Sequence, residues 1–294
     1  MPAFAFRAMA SSCEVRLDGL DAHQAAQLAQ LAIAEVRRIE QKYSRYRSDS
    51  VVARINAQAG AEAVECDAET LSLLDYAHAL HQASGGLFDI TSGVLRRAWD
   101  FGAGRLPDAR RLDELRRLVG WERVERLGAH VRLPQVDMEI DFGGFGKEYA
   151  ADRAAALLAA QGARHGYVNL GGDLRIIGPR ADGRAWTIGI QDPRRPDRLA
   201  AGIDIGSGAL ATSGDYERFM EVDGKRYCHI LDPKSGMPVS HWQSVSVLGP
   251  LAVAAGSCST IAMLLQEDAI AYLDQAGVAY LAIDCTGQMY RRDL

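Results

Sequence analysis

From Asp21 onward, apolar residues recur at helical spacing. Leu28, Ala32, Val36, Ile39 and Tyr43 lie three or four residues apart and form one stripe of a helix that Asp21 caps and that ends near Ser44. The segment DAETLSLLDYAHALHQASGG predicts a second helix. It stops at Gly85-Gly86, because glycine enters the left-handed region past a helix end without a Cβ penalty. A polar, turn-like LFDITSG follows, then a third helix, DARRLDELRRLVG, and later a fourth, KEYAADRAAALLAAQG. AFAFRAM and CEVRL at the start of the chain, and WERVERL, VRLPQ and MEIDFGG in its middle, read as strands.

Past Gly162 the texture turns to short β-rich runs, GYVNLGG, LRIIG, WTIGIQ, YERFMEV, RYCHIL and SVSVLG, separated by Gly, Pro and Asp. Helices near 252–265 and 267–275 and a strand, VAYLAID, close the chain. Helices and strands neither alternate strictly nor segregate. The expectation is therefore an α+β fold, a mainly antiparallel sheet with flanking helices. No repeat, low-complexity segment or linker interrupts it, so residues 1–294 read as one large domain, with a weak break near 162 that would divide it into two lobes.

Composition narrows the function. With 294 residues the chain has ample length for a core, which excludes a disulfide-stapled mini-scaffold. Its 33 Lys+Arg against 38 Asp+Glu, without a long basic run, argue against a nucleic-acid or anionic-membrane surface. Small molecules and proteins are the expected partners. No apolar run reaches about 18 residues, and MPAFAFRAMASS lacks the pattern of a signal peptide, so the sequence as it stands predicts no direct membrane insertion and a cytoplasmic location. Cys13, Cys66, Cys228, Cys258 and Cys285 are widely spread without CxxC spacing and read as reduced thiols.

The candidate chemistry lies in clusters of glycine with polar residues at element edges: Phe88-Asp89 with Thr91, DFGGFGK (141–147), NLGGD (169–173), ATSGDY (211–216) and HILDP (229–233). In DFGGFGKEYAADR a strand-like run feeds a glycine turn and then a helix beginning near Lys147. That layout aims free backbone N–H groups and a positive dipole end at an anion such as phosphate. Neither the P-loop nor the GxGxxG pattern is met. Thr212, Ser213 and Gly214 offer hydroxyls and close backbone approach, or else a plain Ser/Thr turn. Gly171-Gly172 suits a hairpin turn, and Asp89 suits a cap for the TSGVLRRAW segment. His229, in the alternating run RYCHIL, is either a satisfied structural imidazole or a proton acceptor near neutral pH.

In their order along nearly the whole chain, these clusters resemble the ApbE family, the FAD:protein FMN transferases. The resemblance rests on Met9 in MASS, SRYRSDSVVARIN, GGLFDIT, IDFGGFGKEYAADR, VNLGGD, WTIGIQDP, ATSGDY, YCHILDPKSGMP, SVSV and a late helix containing Ser259-Thr260. It implies an enzyme of protein flavinylation that takes FAD as substrate with Mg²⁺. Such an enzyme transfers FMN to a Ser or Thr hydroxyl of a flavin-acceptor protein, forming a phosphoester and releasing AMP. It further implies FAD contacts from Met9, Tyr46, Leu87, Phe88, Asp89, Asp141, Lys147, Thr212, Ser213 and Ile230, a catalytic His229, and metal ligation by the Gly144 carbonyl and Thr260.

Three positions depart from the family pattern. Ala10-Ser11 follows Met9 where Gly-Thr is usual, Glu148 follows the lysine where Gly is usual, and Gly256 stands four residues before Thr260 where the family carries a metal-binding Asp. Glu148 is the candidate to replace that lost carboxylate; the plain alternative is a first-turn acid favoured by the helix dipole. Two other functions stay open at this point: FAD pyrophosphatase activity yielding FMN and AMP, and a non-catalytic flavin-binding protein that has lost a metal ligand.

Overall fold

A computed structural model describes residues 1–294. The chain opens with the hairpin β1 (Ala3–Ala8) and β2 (Ser11–Leu17), then α1 (Ala22–Tyr43), α2 (Val51–Ala57), β3 (Val64–Glu65) and α3 (Ala68–Ala83). A 3₁₀ helix (Ile90–Arg97), α4 (Ala109–Arg116), β4 (Glu125–Leu127), β5 (His130–Arg132) and α5 (Gly146–Ala160) follow. Next come β6 (Gly166–Leu170), β7 (Asp173–Gly178), β8 (Trp186–Asp192), β9 (Arg195–Ile205) and β10 (Gly208–Gly214). The chain finishes with β11 (Phe219–Val222), β12 (Lys225–Cys228), β13 (Trp242–Gly249), α6 (Ala252–Leu265), α7 (Ala269–Ala276), β14 (Ala279–Asp284) and β15 (Met289–Arg292).

Eight strands form one sheet in the order β1-β2-β6-β7-β10-β13-β14-β15, and every neighbouring pair is antiparallel. This is the α+β architecture expected from the sequence. The sheet runs through the texture change near 162, since β2 pairs directly with β6. Strand alternation divides its side chains between two cores. Val168, Leu170, Ala211, Val245 and Val247 face a large core shared with α1, α5 and α6, while Tyr167, Ile176, Leu210 and Leu281 face Trp186, Ile190, Ile203 and Ile205 of the β8–β9 hairpin. No helix is long and apolar enough to cross a membrane.

The helix signals act as expected. Asp21 caps α1 by accepting from Gln24 N–H at 2.9 Å, and Ala32, Val36, Ile39 and Tyr43 are buried along its stripe. At the end of α3, Gly85 and Gly86 take φ of 60° and 85°. One helix answers to a different rule. α6 contains no charged residue and supplies no side-chain cap of its own. Its first N–H groups, Ala252 and Val253, instead donate to the two carboxylate oxygens of Asp152 in α5, both at 2.9 Å. A helix end left uncapped in the interior would cost on the order of 1–2 kcal/mol, so this contact fixes how α5 and α6 lie together.

Several segments differ from the sequence expectation. MEIDFGG forms no ladder, because the Asn56 side chain takes the part of a strand neighbour: Ile140 N–H donates to Asn56 Oδ1 at 2.7 Å and Asn56 Nδ2 donates to Ile140 O at 3.0 Å. LFDITSG leads into the 3₁₀ helix, which Asp89 caps by accepting from Thr91 N–H at 2.7 Å. Of WERVERL, Trp121–Arg123 is a 3₁₀ turn and only Glu125–Leu127 is strand. ATSG is the end of β10 rather than a turn, and His229 lies just beyond β12 rather than within a strand. α2, β3, β9 and β15 have no counterpart in the sequence reading. α2 is short and starts on β-branched residues, and β9 is mostly exposed with no regular alternation, so neither carries a clear periodicity.

The β1–β2 turn is made by Met9 and Ala10 at φ of 51° and 59°, with Ala8 opposite Ser11. Two left-handed residues match the twist of a two-residue hairpin, yet neither is glycine. A left-handed alanine costs about 1–2 kcal/mol relative to its ordinary conformation. Ala10→Gly should therefore raise unfolding stability by roughly 1 kcal/mol in urea denaturation, part of the gain being offset by the extra freedom of glycine in the unfolded chain. A fall in stability would contradict this account of the turn.

Candidate active site

The β1–β2 and β6–β7 turns, the end of β10 and the start of α5 converge on a cleft of about 1130 Å³. Met9, Tyr46, Leu87, Phe88, Asp89, Asp141, Gly144, Lys147, Glu148, Thr212, Ser213, His229, Ile230 and Thr260 all line it, although they come from widely separated segments.

The floor is the glycine turn ahead of α5. Asp141 is placed by its N–H, which donates to Ile90 O at 2.9 Å. Its carboxylate accepts from Gly143 N–H at 3.0 Å, pairs with Arg96, and lies 3.8 Å from Arg45. Gly144 is glycine for want of room: a Cβ there would stand 2.8 Å from Cζ of Phe88. That ring is buried and stacks on Phe145 with centroids 6.3 Å apart. α5 then starts with no side-chain cap, which leaves the positive end of its dipole at the cleft.

Lys147 is half-buried and already paired. Its Nζ is 2.6 Å from Oδ2 of Asp173, a carboxylate only 3% exposed. Burial works against the ammonium charge, but Asp173 more than offsets it and holds Lys147 well above its usual range. Glu148 is equally unlike a first-turn surface acid. It is 7% exposed and its Oε2 has no hydrogen-bond partner. Burial first, and then the charge of Asp173, push its carboxyl upward.

The pleat of β10 sends Thr212 and Ser213 to opposite faces of the sheet, so they do not form one hydroxyl cluster. Thr212 bonds Ser246 across the β10–β13 ladder at 2.8 Å. Ser213 faces α6 and bonds Ser259 at 2.7 Å and Thr260 at 3.0 Å. Gly144, Glu148 and Thr260 line the same cleft and offer oxygen donors of the type a hard divalent cation takes, and the unpartnered Glu148 oxygen is a group such an ion would satisfy.

His229 has a defined tautomer. Its Nδ1 lies 3.2 Å from the carbonyl oxygen of Arg218, which can only accept, so the ring proton sits on Nδ1 and Nε2 keeps its lone pair. Burial first, then the charges of Arg218, Lys147 and Arg96, bring its pKa down to about 4. The imidazole is neutral at physiological pH.

Other expected residues hold the walls. The Asp89 carboxylate is occupied by Thr91 and by Trp121 N–H at 3.0 Å, which matches its reading as a cap. Leu87 and Ile230 are half-buried, and the Met9 N–H donates to Glu40 at 2.6 Å. Tyr46, 76% exposed, stands at the rim with the Arg45 guanidinium 5.2 Å from its ring centre. Sequence reasoning missed Arg45, Arg96 and Asp173 as site residues. Arg45 and Asp173 lay inside quoted motifs, but no spacing rule marks a charge whose partner is far away in the chain.

Comparison with known proteins follows the same outline. The model of the ApbE family matches residues 9–282. The chain is 32% identical over 236 residues to the FAD:protein FMN transferase of Vibrio cholerae, covering 78% of this chain and 71% of that protein. It is 27% identical over 296 residues to the FAD:protein FMN transferase of Escherichia coli, covering 97% and 84%. Among solved structures, the ApbE protein of Thermotoga maritima superposes with a TM-score of 0.92 at 32% identity, covering 99% of this chain and 97% of that one. The flavin transferase ApbE of Vibrio cholerae gives a TM-score of 0.87 at 26% identity, with the same coverage.

The contact between Gly144 and Phe88 is directly testable. Gly144→Ala should destabilise the chain by about 1–3 kcal/mol through overpacking. Phe88→Leu in the same chain should recover part of the loss, giving a non-additive double-mutant cycle in urea denaturation. Strict additivity would show that the ring and the turn do not press on one another.

Proposed function

The chain belongs to the ApbE family, and from that premise we propose that it is an FAD:protein FMN transferase acting on a Ser or Thr hydroxyl of an acceptor protein. The observation that carries the reading is the pairing, in one cleft, of a neutral His229 having a free Nε2 with an uncapped helix start bearing Lys147. An anionic phosphate has donors at the second, and a hydroxyl nucleophile has a base at the first.

The acceptor hydroxyl gives its proton to Nε2 of His229 as its oxygen forms a bond to the FMN phosphorus of FAD. The bond from that phosphorus to the bridging oxygen breaks, and the bridging oxygen leaves with AMP. The protein's part is positioning and charge stabilisation, as in phosphoryl transfers generally. Lys147 and the α5 N-terminus face the pyrophosphate, Arg96 and Arg45 hold Asp141 beside it, and Tyr46, Leu87, Phe88, Met9 and Ile230 provide apolar contact for the flavin and adenosine.

Charge arithmetic supports the Mg²⁺ requirement. With Glu148 ionised, as metal ligation would require, Lys147 faces two buried carboxylates, Asp173 and Glu148, and the trio would carry a net charge of one negative, which is the wrong sign for a pyrophosphate. A divalent cation held by the Gly144 carbonyl, Glu148 and Thr260 would reverse that sign and neutralise charge on the substrate phosphates.

Incubation with FAD, Mg²⁺ and a panel of flavoprotein candidates tests the reading. The expected result is an acceptor mass increased by one FMN together with AMP; free FMN and AMP with no labelled acceptor would make the chain a pyrophosphatase instead. His229→Ala should lower the transfer rate by about 10²–10⁴-fold with FAD affinity in equilibrium titration little changed. Because the working form of His229 is the unprotonated one and its pKa is about 4, kcat/KM should stay flat from pH 8 down to pH 6 and be lost only as the pH approaches that value. An inflection near 6.5 would mean that the base is an ordinary, solvated histidine.

A further inference from the structure

Asp152 of α5 caps Ala252 of α6, and four residues earlier in α5 the Glu148 side chain lies on Gly256, four residues later in α6. The two helices are therefore antiparallel and meet turn by turn. An ideal Cβ at residue 256 would stand 2.6 Å from both Cγ and Oε1 of Glu148 and 2.9 Å from its Cδ, distances that no side chain at 256 tolerates unless Glu148 moves. Gly256 has no left-handed conformation to explain it, since it sits inside a regular helix where glycine costs about 1 kcal/mol relative to alanine. The space it leaves is filled by a carboxylate.

That carboxylate is the uncommitted acid of the seam. Asp152 is spent on the α6 N-terminus and Asp173 on Lys147, while Glu148 keeps a buried oxygen with no partner. α6 itself carries no acid over its whole length. We propose that Glu148 and Gly256 together make a single carboxylate slot between the two helices: Gly256 is empty so that Glu148 can present its oxygen to a phosphate-bound divalent cation, and either helix, but not both, can supply the acid. Two side chains at this level are excluded by space, and two carboxylates by like charge as well. The identity of the phosphate ligand rests on the transferase reading; the slot rests on the packing alone.

The test uses the full chain and reads thermal stability and Mg²⁺ response apart from activity. Tm is followed during Mg²⁺ titration at fixed FAD for wild type, Glu148→Gln, Glu148→Gly, Gly256→Asp and the exchange variant Glu148→Gly/Gly256→Asp. Glu148→Gln keeps the side-chain volume. It should stay folded but need at least about tenfold more Mg²⁺ for its half-maximal shift, a loss that even outer-shell partners of a metal can cause. Gly256→Asp should lower Tm through crowding and repulsion. The exchange variant should recover Tm relative to Gly256→Asp and recover Mg²⁺ response relative to Glu148→Gly. An exchange variant as insensitive to Mg²⁺ as Glu148→Gly, a Gly256→Asp chain as stable as wild type, or a wild-type chain without any Mg²⁺ shift would overturn the inference. A wild-type chain that shows the shift but labels no acceptor would instead remove the transferase reading and leave the slot standing.

Discussion

Asp152 reaching across to the first N–H groups of α6 is the contact on which the arrangement of the site depends. α6 carries no charge and is largely buried, and no side chain of its own caps its N-terminal donors. Taking both from one carboxylate of α5 sets the antiparallel register of the pair. One turn further along, Glu148 meets Gly256. The same face of α6 offers Ser259 and Thr260 to Ser213 at the end of β10, which ties the helix pair to the central sheet. A cap needed for folding thereby aligns the oxygen atoms the chemistry would use.

That alignment is costly in isolation. Asp173 and Glu148 are both buried carboxylates, and the Lys147 ammonium pairs only with Asp173. Desolvation of this kind is tolerated where a site needs fixed charge in a water-poor setting, and it is poor value as a means of holding a fold together. His229 shows the same logic with opposite sign. Burial and the cationic groups around it lower its pKa, so it stays neutral and keeps Nε2 available, with the Arg218 carbonyl choosing the tautomer. Backbone strain also collects at the rim, where Met9 and Ala10 hold left-handed conformations.

Much of this was legible in the chain. The α1 stripe and its Asp21 cap, the glycine stop after α3 and the polar-glycine clusters are local signals, and locality is what sequence patterns report. The motif order also brought together residues that the fold places in one cleft. What escaped were relations between distant segments. MEI has the composition of a strand, but Asn56 satisfies its backbone. Thr212 and Ser213 are adjacent in sequence and opposed in space because β10 is pleated. Lys147 read as facing an anion, whereas Asp173, 26 residues on, already holds it. The loss of an acid at 256 and its gain at 148 were visible as separate departures; only packing shows that they compete for the same volume.

The central claim is that the α5–α6 seam, through Gly144, Glu148 and Thr260, forms the cation-facing wall of the cleft. Anomalous diffraction from crystals grown with Mn²⁺ in place of Mg²⁺ and with bound FAD measures this most directly. The account predicts one strong peak at about 2.0–2.4 Å from the Gly144 carbonyl, a Glu148 carboxylate oxygen and the Thr260 hydroxyl, with substrate phosphate oxygens completing the shell. A peak placed elsewhere in the cleft, or at this wall with Glu148 turned away from it, would contradict the account.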